Sequence, residues 1–234
     1  MARKVILIDH PVGKRDDRAS RMISERGFEV EWISPGRGDE LPDPSRLTDV
    51  AAAVVYGGPE SANDGETAPY IAEEIDWVGR WVAAERPYLG ICLGAQILAR
   101  SLGAKVSMHP ERKHEIGYVE IEPTAAADGF LQDPMHVYQW HKEGFELPDG
   151  AELLATGSVF PNQAYRLSPR IYGIQFHPEV TPEISKRWLT DAAHMLEEPG
   201  AHSAERQLAD SKQHDAPLGD WLGRFLDGWL GEKR

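Results

Sequence analysis

Pro87-Tyr88-Leu89-Gly90-Ile91-Cys92-Leu93-Gly94-Ala95-Gln96-Ile97-Leu98 changes its period at one residue. Up to Ile91 the run is short, apolar and unbroken, as a strand buried on both faces must be. From Leu93 onward, Leu93, Ile97 and Leu98 fall on one side of a helix that closes at Gly103. A strand that becomes a helix within one residue is a join in an α/β sheet, and the same alternation extends towards the N-terminus. Buried strands are expected at 5–9, 28–33 and 51–56, with helices at 17–26 and 71–85 between them. Short strands separated by helices predict an α/β fold with a mostly parallel central sheet covered on both faces.

Towards the C-terminus the pattern changes. Strand candidates at 117–122, 136–140, 151–155, 163–167 and 171–176 follow one another with few helices between them. Pro134, Pro148-Asp149-Gly150 and Ser168-Pro169 supply the turns. This predicts antiparallel β additions to the same sheet or beside it. A helix is expected at 183–196. The organisation read from this is one domain over 1–196 and a C-terminal helical extension over 197–234. Within the extension, 201–216 is polar and reads as helix or loop. Trp221, Leu222, Phe225, Leu226, Trp229 and Leu230 then form one apolar helical stripe. The stripe either docks on the chain's own core or offers a homodimer surface through the C-terminal helix.

Composition removes several function classes. Asp and Glu number 38 against 25 Lys and Arg, a net charge of −13. Such a surface repels phosphate backbones and anionic lipid, so neither nucleic-acid nor membrane binding is expected. No stretch approaches the roughly 18 apolar residues of a membrane span. The N-terminal apolar run is too short for a signal peptide and is cut by Asp9, which points to a cytoplasmic protein. Cys92 is the one cysteine, so an internal disulfide and a Cys-based zinc site are both excluded within one chain. No metal and no cofactor is expected.

The same stretch that decides the fold carries the chemistry. Gly90 and Gly94 flank Cys92 at two residues either side, the arrangement of a nucleophile elbow with Cys in the place of Ser. Flanking side chains would collide in so tight a turn. The elbow lifts the sulfur to the carboxyl edge of the sheet, where open α/β sheets bind ligands. The following helix points its free N–H groups and positive dipole end at the sulfur, which favours a thiolate. The alternative is an inert buried Cys acting as a small hydrophobe. Among nine histidines, His177 stands at the end of the strong strand 171–176, with Glu179 two residues on and Pro178 limiting the freedom between them. A carboxylate there can accept the imidazole Nδ1–H and support an imidazolium. Cys92, His177 and Glu179 are therefore the candidate catalytic residues, provided the fold brings 92 and 177 together. Gly57-Gly58-Pro59 ends the third strand at the same edge. Gly58 and Leu93 are the candidate N–H donors of an oxyanion hole.

These segments carry a resemblance. Gly57-Gly58-Pro59-Glu60-Ser61, Gly90-Ile91-Cys92-Leu93-Gly94-Ala95-Gln96 and Gln175-Phe176-His177-Pro178-Glu179 are similar to the three signature segments of class I glutamine amidotransferases. Trp140-His141, Leu147-Pro148-Asp149-Gly150-Ala151 and Asn162-Gln163-Ala164-Tyr165-Arg166 resemble the stand-alone subgroup related to the amidotransferase domain of GMP synthase. The similarity covers about residues 3 to 196. It implies a flavodoxin-like fold and cysteine-dependent hydrolysis of the γ-carboxamide of glutamine through a γ-glutamyl thioester. It implies that Gly57 and Gln96 help to hold the substrate, and that Gly117 and Tyr118 lie where backbone groups meet its α-amino and carboxylate ends. His141 lies near that pocket and reads as structural. No phosphate-binding Gly-rich loop accompanies these motifs, so an ammonia-accepting synthetase would be a separate chain. The alternatives are a γ-glutamyl peptidase or hydrolase with the same triad, and a non-catalytic regulatory or binding protein that keeps the fold.

Overall fold

β1 (Lys4–Ile8), α1 (Arg18–Glu25), β2 (Glu29–Ile33), β3 (Val50–Val55), α2 (Pro69–Ala83), β4 (Tyr88–Ile91) and α3 (Leu93–Ser101) alternate through the first half of the chain. The second half holds β5 (Val106–Met108), β6 (Glu115–Pro123), β7 (Met135–His141), β8 (Glu143–Phe145), β9 (Glu152–Gly157), β10 (Ala164–Ser168) and β11 (Ile171–Ile174). Two helices follow, α4 (Pro182–Asp191) and α5 (Ala204–Leu230). This is a computed structural model, and it describes residues 3–11 and 14–231. The expectations that touch residues 1–2, 12–13 and 232–234 lie outside the described residues.

Among the described residues, nine strands form one sheet in the order β2-β1-β3-β4-β11-β10-β9-β6-β7. From β2 to β11 every pairing is parallel, and from β11 to β7 every pairing is antiparallel. β5 and β8 make a separate two-stranded ribbon. Strand parity builds two cores. Val5, Leu7, Ala52, Val54, Leu89 and Ile91 face one layer with α1 and α5, while Ile6, Ile8, Ala53, Val55 and Tyr88 face the other with α2 and α3. The expected α/β architecture, with antiparallel additions and a C-terminal helix, is present.

Two elements depart from their expected form. The helix expected to run to residue 196 ends at Asp191 and passes into a 3-10 segment, Ala193–Glu197, with no buried residue to hold an apolar stripe. The polar stretch left open between helix and loop is helical from Ala204 onward, because α5 runs unbroken for 27 residues with Pro217 inside it. The apolar stripe of α5 is buried in the chain's own core: Leu218, Trp221, Leu222, Leu226, Trp229 and Leu230 all lie against the sheet. Of the two readings of the stripe, docking on the chain's own core is the one this packing matches. The segment leading into α5 is itself stitched to β6, with His114 N–H donating to Pro199 O at 2.8 Å and His202 N–H to Ile116 O at 2.9 Å.

Candidate active site

β3, β4 and β11 are neighbours, parallel and in that order, so their carboxyl ends lie side by side. Gly57 follows β3, Cys92 follows β4 and His177 follows β11. That juxtaposition brings together residues far apart in the chain, and it comes from strand order alone.

Cys92 sits at φ 51° and ψ −106°, a conformation that non-glycine residues rarely adopt. Its N–H still donates to Ile174 O at 2.8 Å, so the turn begins while the chain is tied to β11. A side chain at Gly90 would run into the Gly94 carbonyl, and one at Gly94 into the Val55 carbonyl of β3. Both glycines are therefore required by backbone packed on backbone. Strain at a buried turn persists only where the surroundings enforce it.

His177 is held from three sides. Its Nδ1 lies 2.7 Å from Glu179 Oε1 and, facing a carboxylate, is the donor. Its backbone N–H donates to Tyr138 O at 2.8 Å. The Trp188 ring meets the imidazole edge-on, with centroids 5.2 Å apart. Nε2 is buried without a hydrogen-bond partner and is the nitrogen left for the sulfur side. Burial pulls the imidazole down, but the Glu179 carboxylate and then the Cys92 sulfur more than offset it and push His177 up to about 10. A Cβ placed on Gly57 would lie 2.8 Å from His177 Cε1 and 3.4 Å from Cys92 Cβ. The missing side chain of Gly57 thus marks one point that both groups flank. Cys92 keeps 6% of its surface exposed and His177 3%.

α1 abuts the same cluster. Arg18 N–H donates to Glu179 O at 2.8 Å, and Asp17 caps the helix by accepting from Ser20 N–H at 2.8 Å. Burial chiefly, with a smaller push from the Glu179 carboxylate, raises Asp17 despite its bonds to Ser20 and Tyr56.

The remaining candidates fall into two groups. Leu93 carries the first N–H of α3, which no carbonyl within the helix can satisfy, and it adjoins the sulfur. Gln96, one turn along α3, is buried, with Nε2 donating to Glu143 O at 2.9 Å and Gln175 Oε1 at 3.2 Å. Gly117 and Tyr118 stand one strand away, since Tyr118 pairs with the Tyr138 that holds His177. A Cβ on Gly117 (φ 116°) would strike the His202 ring, and the Tyr118 ring lies against Tyr138 and His214. These two positions thus face the chain's own C-terminal segment. His141 is tied between Glu115 Oε2 at 3.0 Å and Glu143 O at 2.9 Å.

Sequence reasoning missed a further buried histidine–carboxylate pair, beside His177–Glu179 and His141–Glu115. His10, just past the end of β1, approaches Gly57 O at 3.1 Å through Nδ1 and Glu74 Oε2 at 3.2 Å through Nε2. The signal was available in part: a polar residue at the carboxyl end of a buried strand is the rule that selected His177. Glu74, in mid-helix on α2, carried none.

A model of the family "Glutamine amidotransferase class-I" matches residues 17–195. The glutamine amidotransferase-like protein YfeJ of Salmonella typhimurium is 30% identical over 216 residues, covering 88% of this chain and 89% of its own. One of the subunits of the glutamine-hydrolyzing GMP synthase of Thermococcus kodakarensis is 34% identical over 60% of this chain and 74% of its own. Of whole GMP synthases the match spans only about a third of the length. The crystal structure of a glutamine amidotransferase from Thermotoga maritima superposes with a TM-score of 0.89, covering 99% of this chain and 100% of that one at 26% identity.

Proposed function

Because the chain belongs to the class I glutamine amidotransferase family, we propose that Cys92, His177 and Glu179 hydrolyse the γ-carboxamide of glutamine through a γ-glutamyl thioester. The observation that carries this reading is the strained turn at Cys92 beside a histidine whose other nitrogen is fixed by Glu179.

Cys92 Sγ attacks the γ-carbonyl carbon, and the carbonyl oxygen takes up negative charge. The N–H groups of Leu93 and Gly58 are the donors for that oxyanion. His177, protonated, gives its Nε2 proton to the departing nitrogen, and ammonia leaves as the C–N bond breaks. Loss of the sulfur charge in the thioester removes one of the causes that hold His177 up. The neutral imidazole is then the better base for the incoming water, whose attack releases glutamate and restores the pair. Glu179 fixes the tautomer throughout. Gly57 leaves room for the amide group between Cys92 and His177, and Gln96, one helical turn on, braces this edge through Glu143 O and Gln175 Oε1. The similarity to one of the separate chains of an archaeal GMP synthase supports a second, synthetase chain as the user of the ammonia.

Intact-mass analysis during turnover tests the reading. Glutamine should give ammonia and a γ-glutamyl adduct on the single cysteine, and neither should appear in Cys92→Ala. Release of amines from γ-glutamyl peptides without ammonia from glutamine would assign the site to a γ-glutamyl hydrolase. No adduct from either would return the protein to a binding role.

A further inference from the structure

The loop that follows β3 lies between two histidines. On one side Gly57 faces Cys92 and His177. On the other, a Cβ on Gly58 would lie 2.7 Å from His10 Cγ and 2.8 Å from His10 Cβ, so the imidazole is pressed against the glycine backbone. His10 is 1% exposed and Glu74 0%. Nothing in the thioester chemistry uses this pair, and burying a charged pair is unfavourable compared with apolar packing.

We propose that His10, anchored by Glu74, is a positioning residue that locks the Gly57–Gly58 peptide with the Gly58 N–H turned towards Cys92. The inference rests on the thioester reading above, because it assigns that N–H to the oxyanion. Gly57 O can only accept, so His10 Nδ1 carries a proton and donates to it at 3.1 Å. On the far side Nε2 is hydrogen-bonded to Glu74 Oε2 at 3.2 Å. The Gly57–Gly58 peptide is trans, so its C=O and N–H point in opposite directions. Fixing the carbonyl on His10 therefore directs the N–H of the same peptide away from His10, towards the side where Cys92 and His177 lie. The bond to the carbonyl also polarises the peptide and strengthens its N–H as a donor. Burial lowers the His10 imidazole, but the hydrogen bond and charge of Glu74, then Gly57 O and Glu60, outweigh it and leave it above its ordinary value. Besides Glu74 and Glu60, the Tyr70 ring faces His10, with centroids 6.4 Å apart.

Three variants test this in the full chain, with glutamine or a γ-glutamyl anilide as substrate and iodoacetamide as a probe of Cys92. Alkylation by iodoacetamide is a displacement that forms no oxyanion, and with one cysteine the mass shift reads that site alone. His10→Leu keeps bulk but loses the donor, and its kcat should fall on the order of 10- to 100-fold, with KM within about threefold. His10→Asn offers an amide N–H to Gly57 O and should recover kcat to at least about a third of the wild-type value. Glu74→Gln keeps the shape and should lose about three- to tenfold, which covers the case where His10→Leu does not fold. The alkylation rate should stay within about twofold in all three. Undiminished kcat in His10→Leu or in Glu74→Gln, no recovery in His10→Asn, or alkylation that falls in step with kcat would overturn the inference alone. A wild-type protein inert towards both substrates would sink the thioester reading, and this inference with it.

Discussion

Cys92 carries a backbone conformation that a glycine would adopt at much lower cost. The strain belongs to the backbone, not to the sulfur, so chemistry and stability separate at this position. Cys92→Ala should abolish turnover and leave the fold intact, because a small side chain at the core edge contributes little packing. Cys92→Gly should be equally inactive yet more stable than Cys92→Ala by about 1–2 kcal/mol, the relief of a positive φ. Urea midpoints of the two variants check this, and equal or reversed midpoints would show that the turn stores no strain. His177 gives the matching pH argument. Its folded value of about 10 lies above the ordinary histidine value, so its contribution to stability is complete below about pH 6.5 and is lost as pH rises through 10. Denaturation midpoints should therefore fall between pH 7 and 10. In Cys92→Ala the negative partner is gone, and the loss should move to lower pH. A wild-type midpoint that does not change across that window would contradict the buried His177–Glu179 pair. His177→Asn should lose most of the activity and Glu179→Gln less, since an orienting group is more readily replaced than a proton carrier.

At the scale of elements, α5 shows why half of a helix can escape periodicity analysis. Its C-terminal half announced itself through Trp221, Leu222, Phe225 and Leu226. Its N-terminal half is held by polar anchors that no apolar count detects. Gln207 is buried and accepts from Tyr138 OH at 3.0 Å, and Arg18 reaches both the carbonyl and the carboxylate of Asp215. The strand-to-helix join at 87–98 was legible because glycines, an apolar run and a helical stripe coincide there. β6 and β7 were legible as strands but were longer than expected, since their charged and histidine positions interrupt the pattern. Pro217 makes α5 testable. Inside a helix it removes the bond to the carbonyl four residues back, a cost of about 3 kcal/mol, and its side chain is exposed, so no packing repays it. Pro217→Ala should raise the unfolding free energy by about 1–3 kcal/mol. A loss of stability would mean that the backbone set by Pro217 is needed to bring Asp215 onto Arg18.

At the scale of the molecule, strand parity was readable and strand order was not. The parallel half of the sheet follows from alternation, but nothing local says that β11 inserts beside β4 across eighty residues of chain. That insertion brings His177 beside Cys92, so the candidate residues were legible and their meeting was conditional on it. The same global packing joins the C-terminal helix to the site. Trp221 donates its indole N–H to Phe130 O at 2.7 Å and packs edge-on against Phe130 and against Phe176, the residue before His177. With α5 buried in the same core as β1, β3 and β4, the C-terminal helix and the sheet are expected to unfold together. Trp221→Ala should cost about 3–5 kcal/mol, the range for emptying a buried aromatic site. The loss should appear as one transition at lower urea, with far-UV circular dichroism and glutamine turnover declining together. If ellipticity were lost in two steps, with turnover surviving the first, α5 would be an independent extension, and the packing of Trp221 on Phe176 would not support the sheet edge that carries His177.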